Sequence, residues 1–167
     1  MQYKKEEQSK WFWLNKFLPN VSTIFKDKIL ISIKSRDELK LFVIKEGLYN
    51  VLKKVKKAPV YAGFPLLTLK NNEPCFSLIL AEKYAKANRK KVVVNTFGEE
   101  KFLYKRNLMK KHIVSFSKDI KKGDLVVVVN KRNEALGFGK ALFSSNEGLP
   151  EGRVVNHIID RGFFIHH

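Results

Sequence analysis

The segment Asp119-Ile-Lys-Lys-Gly-Asp-Leu-Val-Val-Val-Val-Asn130 constrains the fold of this chain more than any other stretch. Valine is branched at Cβ and favours extended backbone, and four in a row leave neither face of a strand polar. Such a strand must be buried on both sides, which a small barrel provides. Just before the valines, Gly123 supplies a turn with positive φ, and Asp124 can hydrogen-bond back within that turn. Just after them, Lys131-Arg132-Asn133 reads as a hairpin loop leading into Leu136-Gly-Phe-Gly-Lys140. Two glycines inside a strand mark a bulge or a close backbone approach. They either let the barrel curl or let another chain or an RNA backbone come near.

Around this nucleus the second half reads as short strands at Lys91–Asn95, Ile113–Ser117, Leu125–Asn130, Leu136–Phe143, Arg153–Ile158 and Phe163–His166, with a short helix from Glu99 to about Arg106. Turns at short intervals predict a small closed barrel. The first half alternates. An amphipathic helix is expected over Glu6–Leu18, where Trp11, Leu14 and Leu18 recur at spacings of three and four. Strands follow at Ile29–Ile33 and Leu39–Ile44 across the turn Ser35-Arg36-Asp37, then a helix over Lys45–Lys54. The strand Val60–Leu69 contains Pro65, which argues for an edge or a bulge. A last helix, Leu78–Ala87, turns Leu78, Ala81, Tyr84 and Ala85 inward. The expected class is α+β: an N-terminal mixed α/β domain over residues 1–90 and a C-terminal β-barrel domain over residues 91–167.

Charge then narrows the function. The chain holds 33 Lys and Arg against 16 Asp and Glu, a net +17, so a folded body repels itself and a polyanion relieves the repulsion. Residues 1–90 contribute 19 basic and 8 acidic groups and residues 91–167 contribute 14 and 8, so the charge decorates both halves and is no tail. Nucleic acid is the first candidate partner, because each neutralised phosphate releases counterions. An anionic membrane is the second and is not expected as a partner. It would rest on Trp11-Phe-Trp-Leu14, whose aromatics serve equally well as a packing face, and no apolar run approaches the roughly 20 residues that span a bilayer. The lone Cys75 allows neither an internal disulfide nor a thiolate zinc site, and the N-terminus lacks a signal-peptide core. A reducing interior is therefore expected, the cytoplasm or, in a eukaryote, the nucleolus.

Catalytic signals do not rise above background. Glu6-Glu7 and Glu99-Glu100 sit at expected helix starts, where the dipole favours negative charge. Gly137-Phe-Gly139 lacks the third glycine of a dinucleotide fingerprint, and Ser144-Ser145 lacks a glycine elbow. His112 and His157 show no carboxylate partner at a telling spacing. No enzyme activity, cofactor or metal is expected. Basic clusters are plainer: Lys53-Lys54 with Lys56-Lys57, Arg89-Lys90-Lys91, Lys121-Lys122, Lys131-Arg132, and Lys105-Arg106 with Lys110-Lys111. The last is interleaved with Phe102, Tyr104 and Met109, so cations can hold a phosphate backbone while Tyr104 or the Arg106 guanidinium stacks on an unpaired base. Phe102 reads as core.

The run from Phe102-Leu-Tyr104 through the valines to Leu136-Gly-Phe-Gly139, closed by Val154–Ile158 and Asp160-Arg-Gly162, resembles a PUA domain, a compact RNA-binding pseudo-barrel. Within PUA proteins it is most similar to the Nip-seven family of large-ribosomal-subunit biogenesis factors, which share the Phe-Leu-Tyr triplet, the Leu-Gly-Phe-Gly motif and a preceding α/β domain. The resemblance spans roughly residues 40–165. It implies a non-catalytic factor whose PUA half binds RNA, whose partners are precursor rRNA and its single-stranded regions, and whose N-terminal domain meets pre-ribosomal or RNA-processing proteins. Lys101, Tyr104, Lys105, Arg106, Lys110 and Lys111 are the expected RNA contacts along one side of the barrel, with Lys140, Arg153 and Arg161 on later strands. Lys105 stands where the family commonly has glycine and His112 where a small residue is usual, which makes the first turn bulkier and more basic. The alternative reading is an accessory subunit that presents tRNA or rRNA to a modification enzyme or a translation complex.

Overall fold

The chain divides into two units, Met1–Leu80 and Ala81–His167. The computed structural model describes residues 2–6, 10–11, 14–15, 18, 21–55, 59, 61–70, 73–87 and 90–161. The α+β class expected from the sequence is the class observed.

The first unit is an antiparallel five-stranded sheet in chain order: β1 (Gln2–Lys5), β2 (Ile29–Lys34), β3 (Glu38–Ile44), β4 (Phe64–Lys70) and β5 (Glu73–Phe76). Helix α1 (Val21–Ile24) precedes β2, and α2 (Glu46–Leu52) follows β3. The β2–β3 hairpin closes where the Ser35 N–H donates to the Glu38 carbonyl at 2.9 Å. Pro65 lies opposite Phe42, where the β3–β4 register slips, so the bulge expected from a proline is present. Its other edge makes no demand for an N–H, because pairing with β5 begins at Leu67. Ile31, Ile33, Phe42, Ile44, Leu52 and Ala62 form a core beneath this sheet. Of the helix expected over Glu6–Leu18, Lys10, Trp11, Leu14 and Asn15 are helical, Leu14 and Leu18 are buried, and the remaining turns lie outside the described residues.

Helix α3 (Leu78–Lys86) runs across the division. Its buried stripe is Leu80, Ala81, Tyr84 and Ala85, whereas Leu78 is half-buried. The inward face thus starts two residues later than the sequence suggested.

The second unit holds β6 (Lys91–Val94), α4 (Thr96–Leu103), β7 (Leu108–Met109), a 3₁₀ turn at Lys110–His112, β8 (Ile113–Phe116), β9 (Leu125–Val129), β10 (Ala135–Ala141) and β11 (Arg153–Asp160). They form a nearly closed, barrel-like sheet in the order β7-β11-β10-β9-β6-β8, with β6 and β9 parallel and the other pairs antiparallel. Val126 to Val129 are all at most 1 % exposed, which is the two-faced burial their composition demands. The turn before them has Gly123 at φ 92°, and the Lys121 N–H donates to Asp124 Oδ2 at 2.7 Å. Phe102, Leu108, Val128, Phe143 and Val154 meet in the core.

The glycines of β10 serve this sheet. A Cβ on Gly137 would stand 2.0 Å from the Ile159 carbonyl oxygen, and one on Gly139 would stand 2.4 Å from Val155 Cγ1. The close backbone is therefore β11, so of the two expected roles these glycines serve the curl and closure of the barrel itself. The helix expected from Glu99 to Arg106 is also corrected, since α4 begins at Thr96 and ends at Leu103. Asn95, read as the end of a strand, is its cap: the side-chain oxygen accepts from the Gly98 N–H at 2.8 Å. The strand expected at Phe163–His166 lies outside the described residues.

Candidate nucleic-acid interface

Helix α4 is held at both ends by bonds that also place cations. At its start, Asn95 Nδ2 donates to the Lys111 carbonyl at 2.9 Å, and the Asn95 N–H donates to the His112 carbonyl at 3.0 Å. These tie the 3₁₀ turn to the helix N-terminus. Gly98 makes the approach possible, because a Cβ there would lie 2.9 Å from His112 Cβ. At the other end the Lys105 N–H donates to the Phe102 carbonyl (3.0 Å) and the Arg106 N–H to the Lys101 carbonyl (2.9 Å). That pair of bonds is a Schellman cap, whose left-handed position normally belongs to glycine. Here it holds Lys105 at φ 59°.

The inner face of α4 buries Gly98 and Phe102. Its outer face carries Phe97, Lys101 and Tyr104 at spacings of four and three, which lie above one another on a helix. Tyr104 is 59 % exposed and Phe97 49 %, and Lys101 Nζ sits 4.8 Å from the centre of the Phe97 ring. An eight-residue helix is about 12 Å long, so Lys111 at one end and Lys105 and Arg106 at the other bracket two exposed rings within reach of a few nucleotides.

Six of the expected site residues are thereby brought together: Lys101, Tyr104, Lys105, Arg106, Lys110 and Lys111. Lys110 ion-pairs with Glu151, and its N–H donates to the Gly152 carbonyl at 2.9 Å, which joins the turn to the start of β11. Arg153 is exposed there, opposite Met109 in the β7–β11 pairing. Lys140, the exposed residue of β10, lies opposite Asn156 farther along β11. Arg161 is not gathered in. It follows the far end of β11, roughly 26 Å of extended chain from Arg153, and bonds Glu82.

His112 is 4 % exposed, and its Nδ1 accepts the Met109 N–H at 3.1 Å. Burial, then the charges of Lys111 and Lys101, push its pKa below the usual histidine range. The ring is therefore neutral, with its proton on Nε2, and among the described residues Nε2 is buried without a hydrogen-bond partner. The ring meets Phe97 edge to face, 5.4 Å between centres. Sequence reasoning missed Phe97 and the Asn95 cap. An asparagine directly before Thr-Phe-Gly-Glu-Glu was the available signal for the cap, and a correct helix start would have put Phe97 on the outer face.

Other candidates resolve into structure. Lys90 Nζ bonds Asp124 at 2.6 Å and Lys91 Nζ bonds Asn133 at 2.9 Å. Lys53 Nζ lies over the Tyr49 ring at 4.7 Å. Arg89, Lys56 and Lys57 lie outside the described residues. Glu99 accepts from Asn130 Nδ2 at 3.2 Å. His157, read as lacking a carboxylate partner, does have one: its Nε2 bonds the buried Asp160 three residues on, because a bulge in β11 pairing brings the two side chains together. Among the described residues no group of three or more His, Cys, Asp or Glu side chains could hold a metal, and no helix is long and apolar enough to cross a membrane.

Residues 90–167 match the family model described as the UPF0113 PUA domain. No curated protein matches the chain in sequence. Among solved structures, the chain is similar to a conserved PUA domain protein from Thermoplasma acidophilum, at 14 % identity and a TM-score of 0.55 over 94 % of this chain and 93 % of that one. A hypothetical protein from the hyperthermophilic archaeon Pyrococcus horikoshii is similar at 15 % identity and a TM-score of 0.58, over 99 % and 100 %. A PUA domain from Aeropyrum pernix K1 is similar at 12 % identity and a TM-score of 0.53, over 96 % and 86 %. At such identities the likeness is one of fold. The C-terminal part of the chain is a PUA domain, as its motifs suggested, which implies RNA binding, and no catalytic family is indicated.

Proposed function

We propose that this chain is a non-catalytic RNA-binding factor of large-ribosomal-subunit biogenesis and pre-rRNA processing, akin to the Nip-seven family. In this reading residues 91–167 bind single-stranded RNA and residues 1–90 engage pre-ribosomal or RNA-processing proteins. The observation that carries it is the gathering of exposed cations around an exposed aromatic on α4 of a PUA domain, in a chain of net charge +17. Lys105, Arg106, Lys110 and Lys111 neutralise phosphates, Lys101 supports them, and Tyr104 stacks on an unpaired base. Arg153 and Lys140 continue the track along β11, and Arg161 is its outlying contact.

Fluorescence anisotropy with single-stranded RNA across a salt series tests the reading. Replacing Lys105, Arg106, Lys110 and Lys111 together by glutamine lowers affinity and flattens the log–log salt slope by about 0.7 for each phosphate no longer neutralised. An unchanged slope would remove this surface from the RNA interface. Co-purification tests the pathway: large-subunit precursors are expected, and capture of an RNA-modification enzyme or small-subunit particles in their place would sink the biogenesis role.

A further inference from the structure

The outer face of α4 carries more than charge. The needs of the core are met by Gly98 and Phe102 on the inner face, yet Phe97 stands half-exposed one turn before Lys101 and two before Tyr104. Beside it, His112 keeps a buried Nε2–H that no described group accepts, although its other ring nitrogen is well used. A buried donor left unpaired is uncommon and calls for an acceptor. Lys101 Nζ lies 4.8 Å from the centre of the Phe97 ring, and Lys111 precedes His112 in the 3₁₀ turn, so two cations stand beside the pair. Among the described residues neither lysine is ion-paired, although Glu99, which accepts from Asn130 Nδ2, and Glu100 share the helix with Lys101. A ligand that fits must offer a flat π face, hydrogen-bond acceptors on its rim and negative charge on either side. An unpaired nucleotide has all three, and a base pair within a duplex presents no free face.

We propose that Phe97 is the platform for an unpaired RNA base, which stacks on its ring, takes the Nε2–H of His112 on an acceptor atom, and leads its flanking phosphates to Lys101 and Lys111. Tyr104 is the next aromatic along the same face, so single-stranded RNA runs along α4 from the 3₁₀ turn to the Schellman cap. The site rests on the RNA-binding reading and deepens it, because it makes that binding selective for bases as well as for phosphates.

The full-length chain is titrated with three probes of equal length: a single-stranded oligoribonucleotide, its duplex, and an abasic ribose-phosphate oligomer. Phe97→Ala weakens binding of the single strand by about 5- to 150-fold, the range for removal of one base–aromatic stack, with the salt slope unchanged. Duplex and abasic binding stay at the wild-type level, and Phe97→Trp retains the single-strand affinity. In the same titration the His112 Nε2–H proton resonance moves downfield as it gains an acceptor. Equal single-strand affinity in a folded Phe97→Ala variant would overturn the platform and leave this face to a protein. Equal losses on the abasic oligomer would overturn it too, since bases would then be irrelevant, and an unmoved His112 resonance would take the histidine out. A wild-type chain that binds none of the probes fails the RNA reading itself, a result distinct from loss of base selectivity.

Discussion

In the proposed interface Lys105 is the residue where stability and binding would pull apart. Its φ of 59° puts a lysine where Cβ crowds the following carbonyl, a conformation glycine adopts freely. The cap bonds from Lys105 and Arg106 back to Phe102 and Lys101 fix that geometry, so the strain cannot relax without opening the helix end. Lys105→Gly should therefore stabilise the chain by about 1 kcal/mol, seen as a higher urea midpoint at constant slope. It should also weaken RNA binding and reduce the salt slope by about 0.7, the share of one phosphate. A glycine variant that gained stability and bound RNA like wild type would show that the lysine charge is not part of the interface. The resemblance to a family with glycine here made the position visible in the sequence. The left-handed backbone that gives the departure its cost emerges only from the cap geometry.

Elements were legible where composition alone decides them. The valine strand β9 follows from four branched apolar residues, and its turn from Gly123 and Asp124. By contrast β1, β5 and β7 were not seen: Gln2–Lys5 is polar, Glu73–Phe76 contains a proline, and β7 is two residues long. Each is a strand because a neighbouring strand offers it a partner, and the sequence of the segment carries little of that information. The same limit shifted α4 by three residues, since Glu99-Glu100 resembles a first turn as strongly as Asn95 resembles a cap, and with that shift Phe97 dropped out of the candidate site. The paired glycines of β10 were recognised as special, but the choice between their two roles depended on where β11 lies. That choice has a measurable consequence. In Gly137→Ala the new Cβ meets the backbone at Ile159 and Asp160, which cannot yield without breaking the β10–β11 ladder, so a loss of about 3 kcal/mol is expected. Gly123→Ala meets nothing within 4 Å and carries only the penalty of its φ of 92°, about 1 kcal/mol. Denaturant midpoints of the two variants compare these costs. Equal losses would mean that β10 and β11 are not packed so closely.

At the scale of the whole molecule the governing quantity is excess positive charge. The first unit holds 15 basic and 7 acidic residues and the second 18 and 9, so neither unit can neutralise the other. The ion pairs among the described residues engage few of the lysines, and Lys90–Asp124 is one of the few that is well shielded from water. Self-repulsion of this kind acts over the Debye length, about 10 Å at 0.1 M salt and about 3 Å at 1 M. Sodium chloride should therefore raise the melting temperature of the free protein while it weakens RNA binding, because one screening length governs both. Chloride is the proper salt, since sulfate strengthens apolar burial by itself. Bound single-stranded RNA replaces salt as the source of relief: at 100 times Kd it adds about 2.7 kcal/mol to stability. Melting curves of the free and RNA-saturated chain should accordingly lie far apart at low salt and converge as salt rises. A free chain whose melting temperature falls with added chloride would mean that its lysines are satisfied within the fold, and the +17 would then cease to argue for a polyanionic partner.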